Sequence, residues 1–298
     1  MNFQMNRNEC KDKCFDAIMQ MQGVEELKEM VQRLQKFQEN RERYSISDAR
    51  LPNYLWLAKR GGGITTCLNV FSEYLYAAKI IEFTGIIKYF EFIPAYTAPD
   101  AYFSELVRLN NTLTEIAGHH RYFKGIACII IDDWLEHLNE LNFKNILDFI
   151  DNINDRVLAI FCAHTNNKRI VENLESAIIS YMRSETIRLR FPDTDEIIEF
   201  IEAKYLKKYN FYLSKDAKSL LTESVKEIVA GKYFNGFKTI KQLSNDIVYS
   251  LLMYDLKSYE ISADMLNGYA RDSAYVKRIK TSDGNKRIGF NTKEEYSK

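Results

Sequence analysis

Two segments of this chain, residues 126–131 (IACIII) and 157–163 (VLAIFCA), are apolar at every position. That is the strongest constraint on its fold. A strand with one wet face alternates apolar and polar residues, whereas an unbroken apolar run of this length is buried on both faces, as in a parallel sheet covered by helices. Three further strand-like runs surround these two: NYLWLA at 53–58, a run at 86–93 and one at 186–191. The segments between them are helical in pattern and long enough for crossovers, with helices expected at 65–79, 100–117, 134–153 and 168–182. The expected fold is therefore α/β, a five-stranded parallel sheet sandwiched by helices.

The remainder of the chain reads as helix. Before the first strand, residues 8–43 place Val24, Leu27, Val31 and Leu34 at spacings of three and four among Glu, Lys and Gln, the pattern of a leading amphipathic helix. After Phe191-Pro192-Asp193 the strand pattern stops, and helical segments follow at 194–208, 214–230, 238–256 and 261–270. With four prolines, twelve glycines and no Pro/Gly/Ser linker, the boundaries must come from this change of pattern. It gives an N-terminal helical segment at 1–50, an α/β domain at 51–192, a small all-helical domain at 193–270, and a basic tail or hairpin at 271–298. That last stretch holds eight Lys/Arg against four Asp/Glu.

Charge and cysteine content narrow the function. The 41 Lys+Arg balance 41 Asp+Glu, which argues against a wholesale polyanion binder and so against nucleic acid as the main partner. No apolar run approaches the ~20 residues of a membrane helix. Five cysteines, an odd number scattered through a long chain, are the usage of a reducing compartment, and a cytoplasmic location is expected. Cys10 and Cys14 stand one helical turn apart, yet no second ligand pair with metal-site spacing accompanies them.

The chemistry-bearing segments are two. Leu57-Ala58-Lys59-Arg60-Gly61-Gly62-Gly63-Ile64-Thr65-Thr66 puts a glycine turn between a strand and a helix. There, backbone N–H groups and the helix dipole can converge on phosphate oxygens, and a hydroxyl in the first turn can ligate Mg²⁺. Of the phosphate-loop pattern G-x-x-x-x-G-K-[ST], only Gly63 and Thr65 are met. Ala58 stands for the first glycine and Ile64 for the lysine. The second segment, GIACIIIDDWLEHL, ends an apolar strand in Asp132-Asp133, where one carboxylate can hold Mg²⁺ through water and the next can polarise a water. Read blandly, the first is a tight turn and the second a pair of acids opening a helix.

Taken in order, these segments resemble the AAA+ ATPases over roughly residues 20–270, most nearly the CbxX/CfxQ-type branch. Gly23-Val24-Glu25-Glu26-Leu27-Lys28 resembles that branch's leading segment, which implies that Gly23 and Val24 lie against adenine. RVLAIFCAHTN at 156–166 resembles the fourth strand and its sensor-one residue, here Thr165 or Asn166. Tyr181-Met182-Arg183 resembles the arginine-finger region, implying that Arg183 reaches a neighbouring subunit's nucleotide. Phe234-Asn235-Gly236-Phe237-Lys238 resembles the sensor-two signature, with Lys238 in place of arginine, and makes the helical domain the lid. Gly61, Gly62, Gly63, Ile64, Thr65 and Thr66 would then line the phosphates of ATP or ADP between core and lid. Thr65 and Asp132 would hold Mg²⁺, and Asp133, Asn166, Arg183 and Lys238 would be the catalytic set.

The chain departs from the family pattern at Ile64, at Asp133 (shorter than the usual Glu) and at Lys238, a point charge where a forked guanidinium is expected. Each departure weakens hydrolysis. The stretch Ala95–Tyr102 has aromatics but lacks the glycine of a substrate-threading loop. His119 and His120 read as residues of a helix end, and His164 as either a satisfied polar residue at a strand end or a base. The resemblance implies a nucleotide-binding protein with weak or lost hydrolysis that remodels or regulates a protein client, a ring homo-oligomer being among its expected states. The alternative is a non-catalytic scaffold pairing with an active AAA+ protein or a client. A nucleic-acid-acting relative of the clamp-loader or initiator kind ranks third.

Overall fold

A computed structural model of the chain describes residues 7–46, 50–81, 86–91, 125–132, 135–136, 141–153, 157–231, 234–252 and 258–266. The helix expected at 100–117, the stretch 95–102, His119, His120, Asp133 and the tail at 271–298 lie outside these residues. The chain divides into two compact units, Met1–Phe191 and Pro192–Lys298.

The first unit is built on five strands: β1 (Asn53–Ala58), β2 (Ile86–Glu91), β3 (Gly125–Ile130), β4 (Val157–Ala163) and β5 (Ser184–Leu189). They lie in the order β2-β3-β4-β1-β5, and every neighbouring pair is parallel. Among the described residues its helices are α1 (Arg7–Met19), α2 (Glu25–Arg43), α3 (Ile64–Ala77), α4 (Leu141–Asn152) and α5 (Lys168–Ile179).

Why the strands lack alternation is visible in their two cores. From β1, Tyr54, Trp56 and Ala58 enter one apolar cluster with Ile18, Leu27, Leu68 and Phe71 of α1, α2 and α3, while Leu55 and Leu57 enter a second with α4 and α5. The same division runs through β3, with Ile126 and Cys128 opposed to Ala127 and Ile129, and through β4, with Leu158, Ile160 and Cys162 opposed to Ala159 and Phe161. From Tyr54 onward in β1, and along β3 and β4, successive side chains meet one helix layer or the other, which selects apolar residues. On the first face the aromatics interlock: the Trp56 and Phe71 rings lie 5.5 Å apart, and Tyr54 meets Phe71 edge-on at 6.3 Å.

The leading helical stretch is two helices, not one. It breaks at residues 20–24, where Gly23 takes φ 74°, a conformation open to glycine at no steric cost. Helix α2 then runs along the edge strand β5. Glu26 accepts a hydrogen bond from the Arg188 N–H at 2.7 Å, Arg33 pairs with Glu185 at 3.0 Å, and Glu25 with Arg190 at 3.6 Å. A carboxylate thus satisfies a donor that an edge strand leaves open.

The second unit is mostly helical: α6 (Thr194–Ile201), α7 (Lys215–Ala230) and α8 (Gly236–Leu252). Asp193 and Glu196 form a reciprocal capping box on α6, and Ser214 caps α7. The expectation of an all-helical unit needs correction. After α6 the chain passes through one π-helical turn (Glu202–Leu206) and one 3₁₀ turn (Lys207–Tyr209), and β6 (Tyr212–Leu213) pairs in parallel with β7 (Glu260–Ile261). Two residues per strand are too few to register as alternation, so the sequence pattern shows only the helices around them. Among the described residues, no helix is long and apolar enough to cross a membrane.

One buried polar residue ties the sheet together. Asn53, 2% exposed, accepts a hydrogen bond from the Ala159 N–H through Oδ1 at 2.9 Å, and its own N–H donates to the Arg183 carbonyl at 3.0 Å. Asn53→Ala leaves the Ala159 donor buried without that acceptor. The expected cost is about 1–3 kcal/mol, read as a lower urea midpoint for the first unit with unchanged secondary structure by circular dichroism.

Candidate functional site

In a parallel sheet the strands' carboxyl ends share one edge, and here β3, β4 and β1 are consecutive neighbours. The chain after each of them therefore emerges side by side, which brings the glycine turn, Asp132 and residues 164–166 to one place. β1 is also where the connections diverge: the chain leaves it for β2, beyond β4 and β3, and returns to β5 on its other flank. Such a reversal of strand order opens a crevice at the carboxyl edge.

The glycine turn has the geometry of a backbone cradle. Gly61 and Gly63 take φ 76° and 83°, and Gly63 forms the N-cap of α3 with no side-chain cap. Between them the Gly62 N–H donates to the Lys59 carbonyl at 2.9 Å, and a Cβ on Gly62 would stand 2.8 Å from that oxygen. A side chain there would force the turn to move. The first N–H groups of α3, which have no acceptor within the helix, open onto this turn and carry the positive end of its dipole. These features fit the phosphates of a nucleotide. Thr65 and Thr66 are exposed in the first helical turn. Ile64, 7% exposed, is a member of the core formed by α1, α2, α3 and the sheet.

Asp132, just past β3, is held by one residue through both of its oxygens. The His164 backbone N–H donates to Oδ1 at 2.7 Å, and the His164 ring donates through Nδ1 to Oδ2 at 2.7 Å. Both side chains are about four-fifths buried. Burial by itself would raise the Asp132 carboxyl. The His164 ring, its N–H and its charge, with the Arg60 charge from the glycine turn, outweigh that and hold the carboxyl below its ordinary value. The influence of Arg60 links the loop after β1 electrostatically to the end of β3.

The other expected residues fall on both sides of this arrangement. The segment at 20–24 lies at the same edge. Met21 sulfur is 3.9 Å from Cys67 in α3, and Glu25 and Glu26 bond to residues at and just past the carboxyl end of β5. Gly23 and Val24 are thereby close to the start of α3, with Val24 3% exposed. Thr165 accepts a hydrogen bond from the Asn167 N–H at 3.2 Å, and Asn166 is exposed beside it. Asn167 caps α5 by accepting from the Arg169 and Ile170 N–H groups. Arg183 stands at the opposite edge: it precedes β5, whose Ser184 pairs with Asn53, so the length of β1, about 20 Å at ~3.3 Å per residue, separates it from the glycine turn. It is exposed there and takes no part in its own chain's loop site. Lys238 is exposed in the first turn of α8, in the second unit.

Pattern reading placed Arg60 in the glycine segment and His164 at a strand end, and missed that both act on Asp132. The available signal was their position, one residue past β4 and two past β1, once β3, β4 and β1 are placed in order. Away from this edge, Cys14 is an unpromising metal ligand. Burial, then neighbouring Cys10 and Glu73, push its thiol up to about 12. Among the described residues, no cluster of three or more His, Cys, Asp or Glu could hold a metal ion.

No protein-family profile matches the chain, and no curated protein matches it in sequence. Solved structures match it in shape. The chain aligns with Caenorhabditis elegans PCH-2 over 90% of its own length and 72% of that chain, with a TM-score of 0.52 and 13% identity. A mutant of Thermotoga maritima RuvB aligns over 83% of this chain and 70% of that one, with a TM-score of 0.48 and 12% identity. Drosophila ORC bound to DNA aligns over 85% and 43%, with a TM-score of 0.46 and 12% identity. At such identities the likeness is one of fold: the chain shares its α/β architecture, a parallel sheet with flanking helices, with the PCH-2 structure.

Proposed function

We propose that the chain is an AAA+-like protein that binds ATP or ADP at the carboxyl edge of its sheet, with hydrolysis weak or lost, and that it regulates or remodels a protein partner in the cytoplasm. The glycine turn carries this reading: two positive-φ glycines and a third that tolerates no side chain open onto the start of a helix. Gly61, Gly62, Gly63 and Thr66 would hold the phosphates, with Lys59 and Arg60 flanking them. Gly23 and Val24 would lie toward the base. The second unit would serve as the lid and present Lys238. When bound, the nucleotide would supply a polyanion whose presence shifts the conformational balance of the protein. Hydrolysis would need charge stabilisation that Ile64 cannot give. By analogy with removing one preorganised donor, its absence costs about 10²- to 10³-fold in rate.

The engagement of Asp132 and the burial of Ile64 also favour a second reading, a scaffold that uses AAA+ surfaces without turning over nucleotide. Arg183, exposed at the far edge, would then serve an active neighbour or another copy in a ring. The net charge of zero favours a protein over a nucleic acid as partner.

Calorimetric titration with ADP and ATP separates the two readings. Nucleotide binding predicts a Kd in the micromolar range, about 7–8 kcal/mol, and a loss of at least about tenfold in Gly62→Ala. No heat at millimolar nucleotide leaves the scaffold reading.

Ile64→Lys addresses the lost lysine. The substitution withdraws a side chain from the core and asks its ammonium to reach the surface, so stability should fall by about 1–3 kcal/mol, measured by urea unfolding. ATP turnover in magnesium should rise above the wild-type level, because the ammonium restores part of the missing charge stabilisation. An unchanged rate in a well-folded variant would count against the glycine turn as the phosphate loop.

A further inference from the structure

We propose that the turn between α6 and β6, together with the residue that opens onto β7, is a docking surface for an acidic segment of a protein partner that also carries aromatic or other apolar side chains. The inference rests on the protein-partner part of the reading above and needs no nucleotide.

The chain as a whole has no net charge, yet residues 204–215, KYLKKYNFYLSK, hold four lysines and four aromatic rings and no Asp or Glu. The backbone turns this segment outward. The Phe211 N–H donates to the Leu206 carbonyl at 3.1 Å and the Asn210 N–H to the Lys207 carbonyl at 3.0 Å, with Asn210 at φ 61°. That is the Schellman closure of a helix end, with Asn in the left-handed position. It buries Leu206 and Phe211 and leaves Lys207, Lys208 and Tyr209 exposed.

The rings form a continuous row. The Phe211 centroid lies 6.5 Å from that of Tyr209 and 6.2 Å from that of Tyr259, just before β7. Phe211 is 8% exposed, whereas Tyr209 and Tyr259 are 43% and 60% exposed. Two tyrosines braced against a buried phenylalanine lose little freedom on binding, which makes them effective anchors. Lys208 Nζ stands 5.4 Å from the Tyr209 centroid, so the cationic and aromatic parts are one surface.

The charge on this surface is uncompensated. Lys204, Lys207 and Lys208 form no ion pair among the described residues, and Glu202, on the same turn of chain, is held by Lys218 at 2.8 Å. Glu260 of β7 registers with Tyr212 and so lies on the opposite face of the ribbon from Tyr259. Carboxylates from a partner would complement these ammonium groups. The same geometry disfavours nucleic acid. Rings inclined by 44° and 51° to one another do not offer parallel faces to successive bases, and lysine lacks the guanidinium fork that matches phosphate.

The test is fluorescence anisotropy on the full chain with a fluorescein-labelled peptide of repeating Glu-Glu-Phe. The wild type should bind with a Kd of about 10–100 μM, and added salt should weaken it. The matching Gln-Gln-Phe peptide should bind about tenfold more weakly or worse, as should Lys208→Glu and Tyr259→Ser with the acidic peptide. Both substitutions are at exposed positions, and thermal melts establish that each variant is folded. Lys168→Glu, the same charge change on α5, should leave the affinity unchanged. No binding at millimolar protein overturns the inference. A loss in Lys168→Glu equal to that in Lys208→Glu overturns the location, because the attraction is then general. Tighter binding of a labelled oligothymidylate than of the peptide overturns the occupant in favour of single-stranded nucleic acid. Each of these results leaves the nucleotide reading to the ADP titration.

Discussion

Both faces of the central sheet are covered, and that burial decides where polar chemistry can reside. Strands β1, β3 and β4 give every side chain to one of two apolar cores, so a charged group on any of them would be buried without solvent at a cost of several kcal/mol. Polar groups are confined to the strand ends. Asn53, at the start of β1, is the exception that supports the rule, since its amide is spent on the Ala159 backbone. At the carboxyl ends, the order β3-β4-β1 collects Asp132, His164 and Arg60 into one electrostatic group although they are far apart in the chain. The site is a consequence of topology before it is a consequence of motif.

The carboxylate described at that edge is internally satisfied. Sites that perform chemistry commonly keep strained or unpaired groups whose cost the remaining structure offsets. Here the carboxylate has two donors from one residue, the residue at the lysine position is part of the core, and the glycines carry positive φ without strain. The buried side-chain atoms without a partner among the described residues, Trp56 Nε1 and Gln38 Oε1, belong to neither the glycine turn nor the Asp132 pair. An edge whose described carboxylate is already hydrogen-bonded at both oxygens, and whose lysine position is apolar, is poorly suited to driving a reaction on a polyanion.

The depth of the fold was legible in the sequence, and its lateral order was not. The bounds of β1 and β4 follow from apolar runs closed by turn residues, and they agree with the structure. β5 begins at Ser184, two residues before the run of apolar and β-branched residues suggests, because pairing with Asn53 and Tyr54 recruits Ser184 and Glu185. The long helix read across 8–43 ignored Gly23, whose positive φ lets the chain turn between α1 and α2. Periodicity reports how far a residue is buried, and nothing in it says that β4 lies between β3 and β1. The Asp132–His164 pair spans 32 positions and depends wholly on that order. His164 could be seen in the sequence as a polar residue at a strand end or a base, its partner unnamed.

The two edges of the sheet also divide the expected site. The glycine turn, Asp132, Thr165 and Asn166 emerge at the carboxyl ends, and Arg183 precedes β5 at the amino end. Because the strands are parallel, no side-chain rearrangement brings Arg183 to its own loop; the separation is the length of a strand. Any role for that guanidinium at a nucleotide must therefore be played on another molecule, and its importance is set by association and not by the local fold. The residues that remain on this chain's own edge are the backbone cradle and a carboxylate already paired. The part of the apparatus that one chain completes by itself is the part that the proposed nucleotide would meet first.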